Sequence, residues 1–419
     1  MIPNRRAFFS RMAAVGGLLG ATGLAKPKPT GSDDGVLRRP EFETPDSPKL
    51  PWIMNEGRKE FHLVADVVRT EFLPGRAVDA WGYNGTVPGP AIEVEEGERV
   101  RIIVENRLPE ATSMHWHGLE IPVEMDGVPG VVQDPIPPGG KFTYEFQVRQ
   151  NGTFFYHSHM PMQEMMGMIG FLVVHPRTPH QPRVDKDFGL ILQEWAILPN
   201  NTVPNTLAME FNWLTMNGKA GPATTPMIAR LGDRVRIRLV NLGMDHHPIH
   251  LHGNTFVITG GEAGRLPEST WAPGNTVLVG VAQARDIEFE AKYPGDWMVH
   301  CHMPHHGMNQ MVSMVGPMMR PGAMADTSMP DMPGMNHGPQ KMTPGYPQDM
   351  WMVMDRDYAS KPECFGLRAG WTGGMMGMMT LLRVLPPDLY DHVQVLRKNG
   401  GGHVQPEQHP AEGHHHHEN

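Results

Sequence analysis

The run Ile92-Glu93-Val94-Glu95-Glu96-Gly97-Glu98-Arg99-Val100-Arg101-Ile102 recurs as Met227-Ile228-Ala229-Arg230-Leu231-Gly232-Asp233-Arg234-Val235-Arg236-Ile237, and both copies continue to an asparagine, Asn106 and Asn241. The turn glycines Gly97 and Gly232 stand 135 residues apart. The same offset carries His115-Trp116-His117 onto His250-Leu251-His252. Further along, Gly152-Thr153-Phe154-Phe155-Tyr156-His157-Ser158-His159 matches Gly295-Asp296-Trp297-Met298-Val299-His300-Cys301-His302, with the offset grown to 143 by a longer loop. A duplication of this length confines the chain to two copies of one fold. Within each copy, short Val/Ile/Phe runs alternate with Gly, Pro and Asn, and no stretch keeps a convincing helical period, which is the pattern of an all-β sandwich. Two homologous domains are expected, at about 56–178 and 185–320.

The remainder of the chain reads differently. Residues 1–25 carry Arg5-Arg6, a short apolar run and a small-residue end at Gly23-Leu24-Ala25, a twin-arginine export signal too short to cross a bilayer. The protein is therefore expected to be periplasmic or otherwise exported, with a mature chain beginning near Lys26. Residues 26–55 read as an extended arm, 321–346 as a Met/Pro/Gly-rich linker, 347–396 as a C-terminal extension, and 397–419 as a disordered tail containing His414 to His417. The extension holds a short strand at Leu381-Leu382-Arg383-Val384-Leu385 and a helix start at Pro387. No further segment is apolar for long enough to span a membrane, and a net charge of −9 argues against nucleic acid.

Chemistry enters with four H-x-H pairs: His115/His117, His157/His159, His250/His252 and His300/His302. On a strand, residues i and i+2 share a face, so each pair can present two imidazoles to one site. Eight imidazoles exceed the needs of one metal. The middle residue of the last pair is Cys301, whose sulfur the same alternation sends to the opposite face, where His247 and His306 can join it. A thiolate, two imidazoles and a weak thioether, here Met311, make up the ligand set of a blue-copper electron-transfer site. An electron accepted at Cys301 can leave through His300 or His302 along backbone bonds. With Cys301 a ligand, Cys364 has no partner and is expected free and buried. The 33 methionines include clusters, such as Met375-Met376 and Met378-Met379 beside Gly377, that core filling does not explain.

His115-Trp116-His117-Gly118, His157-Ser158-His159, His247-Pro248-Ile249-His250-Leu251-His252-Gly253 and the H-C-H-x-x-x-H-x-x-x-x-M run from His300 together resemble the four copper signatures of the multicopper oxidases, over roughly residues 60–320. The resemblance implies two cupredoxin-like Greek-key domains and four copper ions per chain equivalent. His247, Cys301, His306 and Met311 would hold the type 1 copper, and His115 and His250 the type 2 copper. The type 3 pair would take His117, His157 and His302 on one ion, with His159, His252 and His300 on the other. Such a cluster reduces dioxygen to water with four electrons. Asp126, eleven residues past His115, matches an acidic residue that the family uses near the type 2 copper. Gly307 stands where many three-domain members carry a glutamate, so part of the proton path differs.

In the first repeat, Thr112 replaces His247, Ser158 replaces Cys301 and Gln163 replaces His306, while Met168 is taken as the counterpart of Met311. That half cannot make a blue site. Having two domains and not three, the chain resembles the two-domain oxidases, implying a head-to-tail homotrimer with clusters at its interfaces. Two-domain nitrite reductases share the plan, but they keep the blue site in the first domain and use a mononuclear three-histidine copper.

Three electron donors or roles compete. Cu(I) is favoured by the soft thioethers of Met162, Met165, Met166, Met168, Met308, Met314 and the Met318–Met335 stretch, and by Met244-Asp245 beside His247, the candidate substrate-copper ligands. A laccase would oxidise phenols and aromatic amines at the edge of His247 or His306. A periplasmic copper-sequestering protein without turnover is the third reading.

Overall fold

The computed structural model describes residues 39–198, 201–308, 354–358 and 360–400. The expected export signal, the whole 321–346 linker, Met311 and the histidine tail lie outside the described residues.

The first sandwich pairs two sheets. One runs Trp52–Asn55, Arg58–Leu73, Arg99–Asn106 and Lys141–Gln147, with Arg76–Tyr83 hairpinned onto the long second strand. The other runs Gly89–Glu95, Ile169–His175, Gly152–His157 and His115–His117. Between them lies a core that includes Phe61, Ile102, Trp116, Phe154, Tyr156 and Leu172. The second sandwich repeats the arrangement. Lys186–Trp195, Arg234–Asn241, Gln283–Glu290 and Phe256–Gly261 form one sheet; Met227–Arg230, Met379–Leu385, Gly295–Cys301, His247–Leu251 and Thr276–Val279 form the other. Asn106 and Asn241 do the same work at the same place: the side-chain amide of each donates to the carbonyl of the residue four positions on, Glu110 and Asp245.

Strand Ile169–His175 is buried at every position, where one face against water would have left alternate residues exposed. Its two faces serve two cores: Leu172 and Val174 point into the first sandwich, Ile169, Phe171 and Val173 into a layer shared with Phe42, Ile191, Val240 and Leu242 of the second. Each such fully buried side chain contributes about 1.5–3 kcal/mol. A polar bridge crosses the same layer. Asp187 accepts from Arg236 and Arg238, Arg238 donates to Thr153 Oγ1 at 2.6 Å, and Thr153 donates to Asp286. Burial works to raise the Asp187 pKa, but the two guanidiniums hold it well below the usual carboxylate range. Removing one partner of such a bridge costs about 3–5 kcal/mol.

Two segments expected outside the domains are built into them. The arm is not free at its end: Phe42–Glu43 pairs in parallel with Asp187 and Phe188, and Trp52–Asn55 pairs with Arg58–Phe61. The strand of the C-terminal extension, Met379–Leu385, lies between Met227–Arg230 and Gly295–Cys301 and so completes the second sandwich. The helix after it, Pro387–Lys398, covers Ile228 and Leu385 with Val393 and Leu389. Sequence order alone put the second domain's end at 320, because the strand that closes its sheet comes nearly sixty residues later. Cys364 carries a free thiol, as expected, but is only partly buried.

Candidate copper centres

His247 opens the strand His247–Leu251, Cys301 closes the adjacent strand Gly295–Cys301, and His306 sits in the 3-10 turn Pro304–Gly307 that follows it. Cys301 pairs with Ile249, so period-2 alternation turns its sulfur away from His300 and His302. Cys301 Sγ lies 3.3 Å from His306 Nδ1 and 3.8 Å from His247 Nδ1, and the two Nδ1 atoms are 3.2 Å apart. All three residues are buried. Burial pushes the Cys301 thiol up to about 11, with Glu194 and Asp245 adding to it. Burial also brings His306 down to about 3, helped by His247 and His305. A neutral imidazole is the form that binds metal, and a thiol must give up its proton to do so. The donor set, its convergence and its burial fit copper.

Met311, the fourth ligand expected from spacing, lies outside the described residues, but the structure gives Met168 a different counterpart. Met168 precedes strand Ile169–His175, whose first residue pairs with His157; Met378 precedes strand Met379–Leu385, whose first residue pairs with His300. Ser158 N donates to Met168 O at 3.3 Å, and Cys301 N donates to Met378 O at 3.0 Å. Met168 N donates to Gln163 O, and Met378 N to His306 O. The sequences agree as well, Met165-Met166-Gly167-Met168 against Met375-Met376-Gly377-Met378, and both glycines have positive φ. The counterpart of Met168 is thus Met378, fully buried in the core that holds Cys301, and not Met311. Spacing alone does not reach Met378, because more than seventy residues separate it from His306.

In the first sandwich the same position is closed by hydrogen bonds. Thr112 Oγ1 and Ser158 Oγ donate to Gln163 Oε1 at 2.8 and 2.7 Å, and the Gln163 amide donates to Ala111 O.

The paired histidines form two quartets. His115, His117, His157 and His159 have ring centroids 5.3 to 6.2 Å apart in five pairs. His250, His252, His300 and His302 do the same at 4.8 to 5.6 Å. Among the described residues no ring contact joins one quartet to the other. Equivalent members are held alike. Nδ1 of His115 donates to Asp126 O at 2.8 Å and that of His250 to Asn275 O at 2.7 Å. Nδ1 of His157 and His300 donate to Ser158 O and Cys301 O, each at 2.8 Å. That turns each Nε2 toward the other imidazoles: His157 Nε2 lies 3.4 Å from His117 Nδ1 and His300 Nε2 lies 3.0 Å from His252 Nε2. Burial, then the neighbouring imidazoles, lowers His117 to about 4 and also depresses His252 and His300. His159, His252 and His302 are exposed.

Asp126 stands where expected, its carboxylate 3.4 Å from His115 Nδ1. Gly127, with φ of 85°, makes that approach possible, since a Cβ there would run into the Met114 carbonyl. Two carboxylates were missed. Glu164 lies 3.0 Å from His157 Nδ1. Glu194, fully buried, accepts from His247 Nε2 at 2.9 Å. The signal for Glu194 was a charge set inside the apolar run Leu190-Ile191-Leu192-Gln193-Glu194-Trp195. Asp245, His305 and His306 bring ligand atoms within 4.8 Å of one another, and Met244 packs with Met162 and Met165 beside them.

Two models of multicopper oxidase domains match residues 66–179 and 197–317, together more than half of the chain. Copper resistance protein A of Pseudomonas syringae pv. tomato is 38% identical over 193 residues, 46% of this chain and 29% of that protein. Laccase-2 of Botryotinia fuckeliana is 35% identical over 245 residues, 53% of this chain and 41% of that one. The chain thus spans less than half the length of these curated relatives. Among solved structures, the blue copper oxidase of Nitrosomonas europaea superposes with a TM-score of 0.56 at 34% identity, covering 60% of this chain and 81% of that one. Matched models over both sandwiches, with the histidine quartets and the thiolate site inside the matched spans, lead to one conclusion: the chain belongs to the multicopper oxidase family.

Proposed function

We propose that this protein is an oxidase that takes single electrons from Cu(I) at the Cys301 site and passes them to dioxygen at the histidine quartets. Copper bound at these residues supplies the one-electron acceptor and the four-electron reduction of dioxygen to water. His247, Cys301 and His306, with Met378 as fourth ligand, hold the type 1 ion. His115 and His250 hold type 2; His117, His157 and His302, with His159, His252 and His300, hold the type 3 pair. The peptide on either side of Cys301 leads directly to His300 and His302. Asp126, against His115, is placed to hold a proton for the reaction.

The observation that carries Cu(I) over a phenol is the group beside His306. Asp245 and His305 offer a carboxylate and an imidazole next to the ligand's outer nitrogen, with thioethers of Met162, Met165 and Met244 close by. Those donors suit copper in both oxidation states. A phenol needs an open apolar cleft at a histidine edge, and His247 and His306 are both buried.

Among the described residues no ring contact joins the two quartets, and three of the eight imidazoles are exposed. We infer that the first quartet of one subunit meets the second quartet of the next, in a homotrimer closed head to tail. The Arg5-Arg6 stretch supports export by the twin-arginine route, and no described helix is long and apolar enough to span a bilayer.

Oxygen uptake by the copper-loaded protein with Cu(I) and with a phenol, run beside Asp245→Asn, tests the donor. Cu(I) turnover should exceed phenol turnover and fall about tenfold in the variant. Equal rates with both donors and no effect of the substitution would sink this reading. A monomeric mass in solution with full copper and full activity would sink the trimer.

A further inference from the structure

Residues 354–358 and 360–400 pack onto the second sandwich as a piece of their own. Strand Met379–Leu385 pairs with Met227–Arg230 on one side and with Gly295–Cys301 on the other. Met378, Leu382 and Val384 are fully buried in the core that also holds Cys301. Helix Pro387–Lys398 adds the buried Val393, and Tyr358 joins the cluster of Phe72, Trp195 and Trp213. Polar contacts fasten the rim: Lys361 donates to Ala223 O and Thr225 Oγ1, the buried Arg383 donates to Asp296, and Arg397 pairs with Glu43.

The piece also fastens the copper ligands. Met378 N donates to His306 O, and Cys301 N donates to Met378 O. Gly377, at φ of 62°, lies so close that a Cβ would run into the His306 carbonyl. Gly221 N and Thr224 Oγ1 hold the other side, donating to Gly377 O and Met379 O, each at 2.8 Å. The first sandwich reaches the same geometry locally. Five residues carry the chain from Gln163 to Met168, against seventy-two from His306 to Met378. Over that longer path the connection confines its two ends only weakly, so the docking contacts and not the chain hold Met378 against His306.

We propose that residues 354–400 are a separable closing piece, and that its docking and the binding of copper at the Cys301 site strengthen each other; this rests on the oxidase reading above, with Met378 as fourth ligand. Undocking would remove Met378, leave the His306 carbonyl and the Cys301 amide without their partners, and expose a thiol that is now buried. Copper bonded to the sandwich and to the piece at once opposes that separation. By linkage, whatever factor copper adds to docking, docking adds to copper affinity. The empty site is thereby the one that opens, and the filled site stays shut.

The test inserts a protease recognition sequence after Gly322 in the full chain, cuts it there, and follows the two parts by elution under rising urea, with and without copper. The cut, copper-loaded protein should elute as one species with its copper–thiolate absorption intact. Copper should shift the separation equilibrium about tenfold toward the joined form, and Met378→Leu, which keeps the packing, should shrink that shift. Parts that come apart in plain buffer, or a separation midpoint that copper does not move, overturn the inference alone. An uncut wild-type protein that binds copper without a copper–thiolate band overturns the oxidase reading beneath it. If the chain carrying the inserted sequence does not fold, hydrogen exchange in the wild type decides. Copper should protect the amides of Met379–Leu385 more than those of Arg234–Asn241 in the opposite sheet, and equal protection overturns the proposal.

Discussion

One position in this molecule occurs twice and carries metal-type donors once. In the second sandwich it is His247, Cys301, His306 and Met378, backed by Glu194; in the first it is Thr112, Ser158, Gln163 and Met168, and the strand position of Glu194 holds the half-exposed Val67. The backbone is the same, down to the hydrogen bonds from Cys301 N and Ser158 N to the two methionine carbonyls. What differs is how a buried polar space is satisfied. Gln163 fills it with four side-chain hydrogen bonds, to Thr112, Ser158, Ala111 and Glu110. The copper half leaves two imidazole nitrogens and a sulfur within 3.8 Å of one another, none offering the others a full set of donors. A pocket that satisfies itself has no use for an ion. One that converges unsatisfied donors is organised for it.

The comparison breaks most visibly at Cys301. Cys301→Ser gives the second site the residue of the first, and the copper–thiolate absorption and all turnover should vanish while the elution volume of the assembly stays unchanged. Colour surviving in that variant would mean that the thiolate lies elsewhere. Next comes the methionine. Met378→Leu should shift the absorption and raise the type 1 potential, because a weak axial donor is lost, whereas Met311→Leu should leave both alone. The reverse result would restore the ligand expected from spacing.

The vestigial site should respond to its hydrogen bonds and not to copper. Gln163→Leu strands Thr112 and Ser158 and should cost about 1–3 kcal/mol, read as a lowered denaturation midpoint that added copper does not restore. The smallest effect concerns pH. With the Cys301 thiol raised to about 11, copper must displace a proton throughout the neutral range, so type 1 affinity should grow about tenfold per unit as pH rises. His306, lowered to about 3, competes only in strong acid. Flat affinity between pH 6 and pH 8 would show that the thiol is already ionised there.

Much of the site was legible in the chain because strand alternation is local. Two residues apart on one strand means one face, so H-x-H pairs and the opposed Cys301 could be read without a structure. The repeat was legible for a related reason, since each copy carries its own turn glycine, asparagine and histidines. Glu194 was less so: it lies 53 residues from His247, and only the packing of two strands brings them together. The end of the second domain was hidden too, because its closing strand follows a long insertion.

By itself, then, the sequence determined two β-sandwiches, four H-x-H pairs and a thiolate turned away from the last of them, all of which rest on repeats or on spacing within one strand. The tertiary structure decided the rest. It brought Met378 back to Cys301, through an antiparallel partner strand and two backbone hydrogen bonds. It also put a buried carboxylate behind His247 and left the quartets apart. Contacts between distant strands are set by the packing of whole sheets, and no local spacing encodes them.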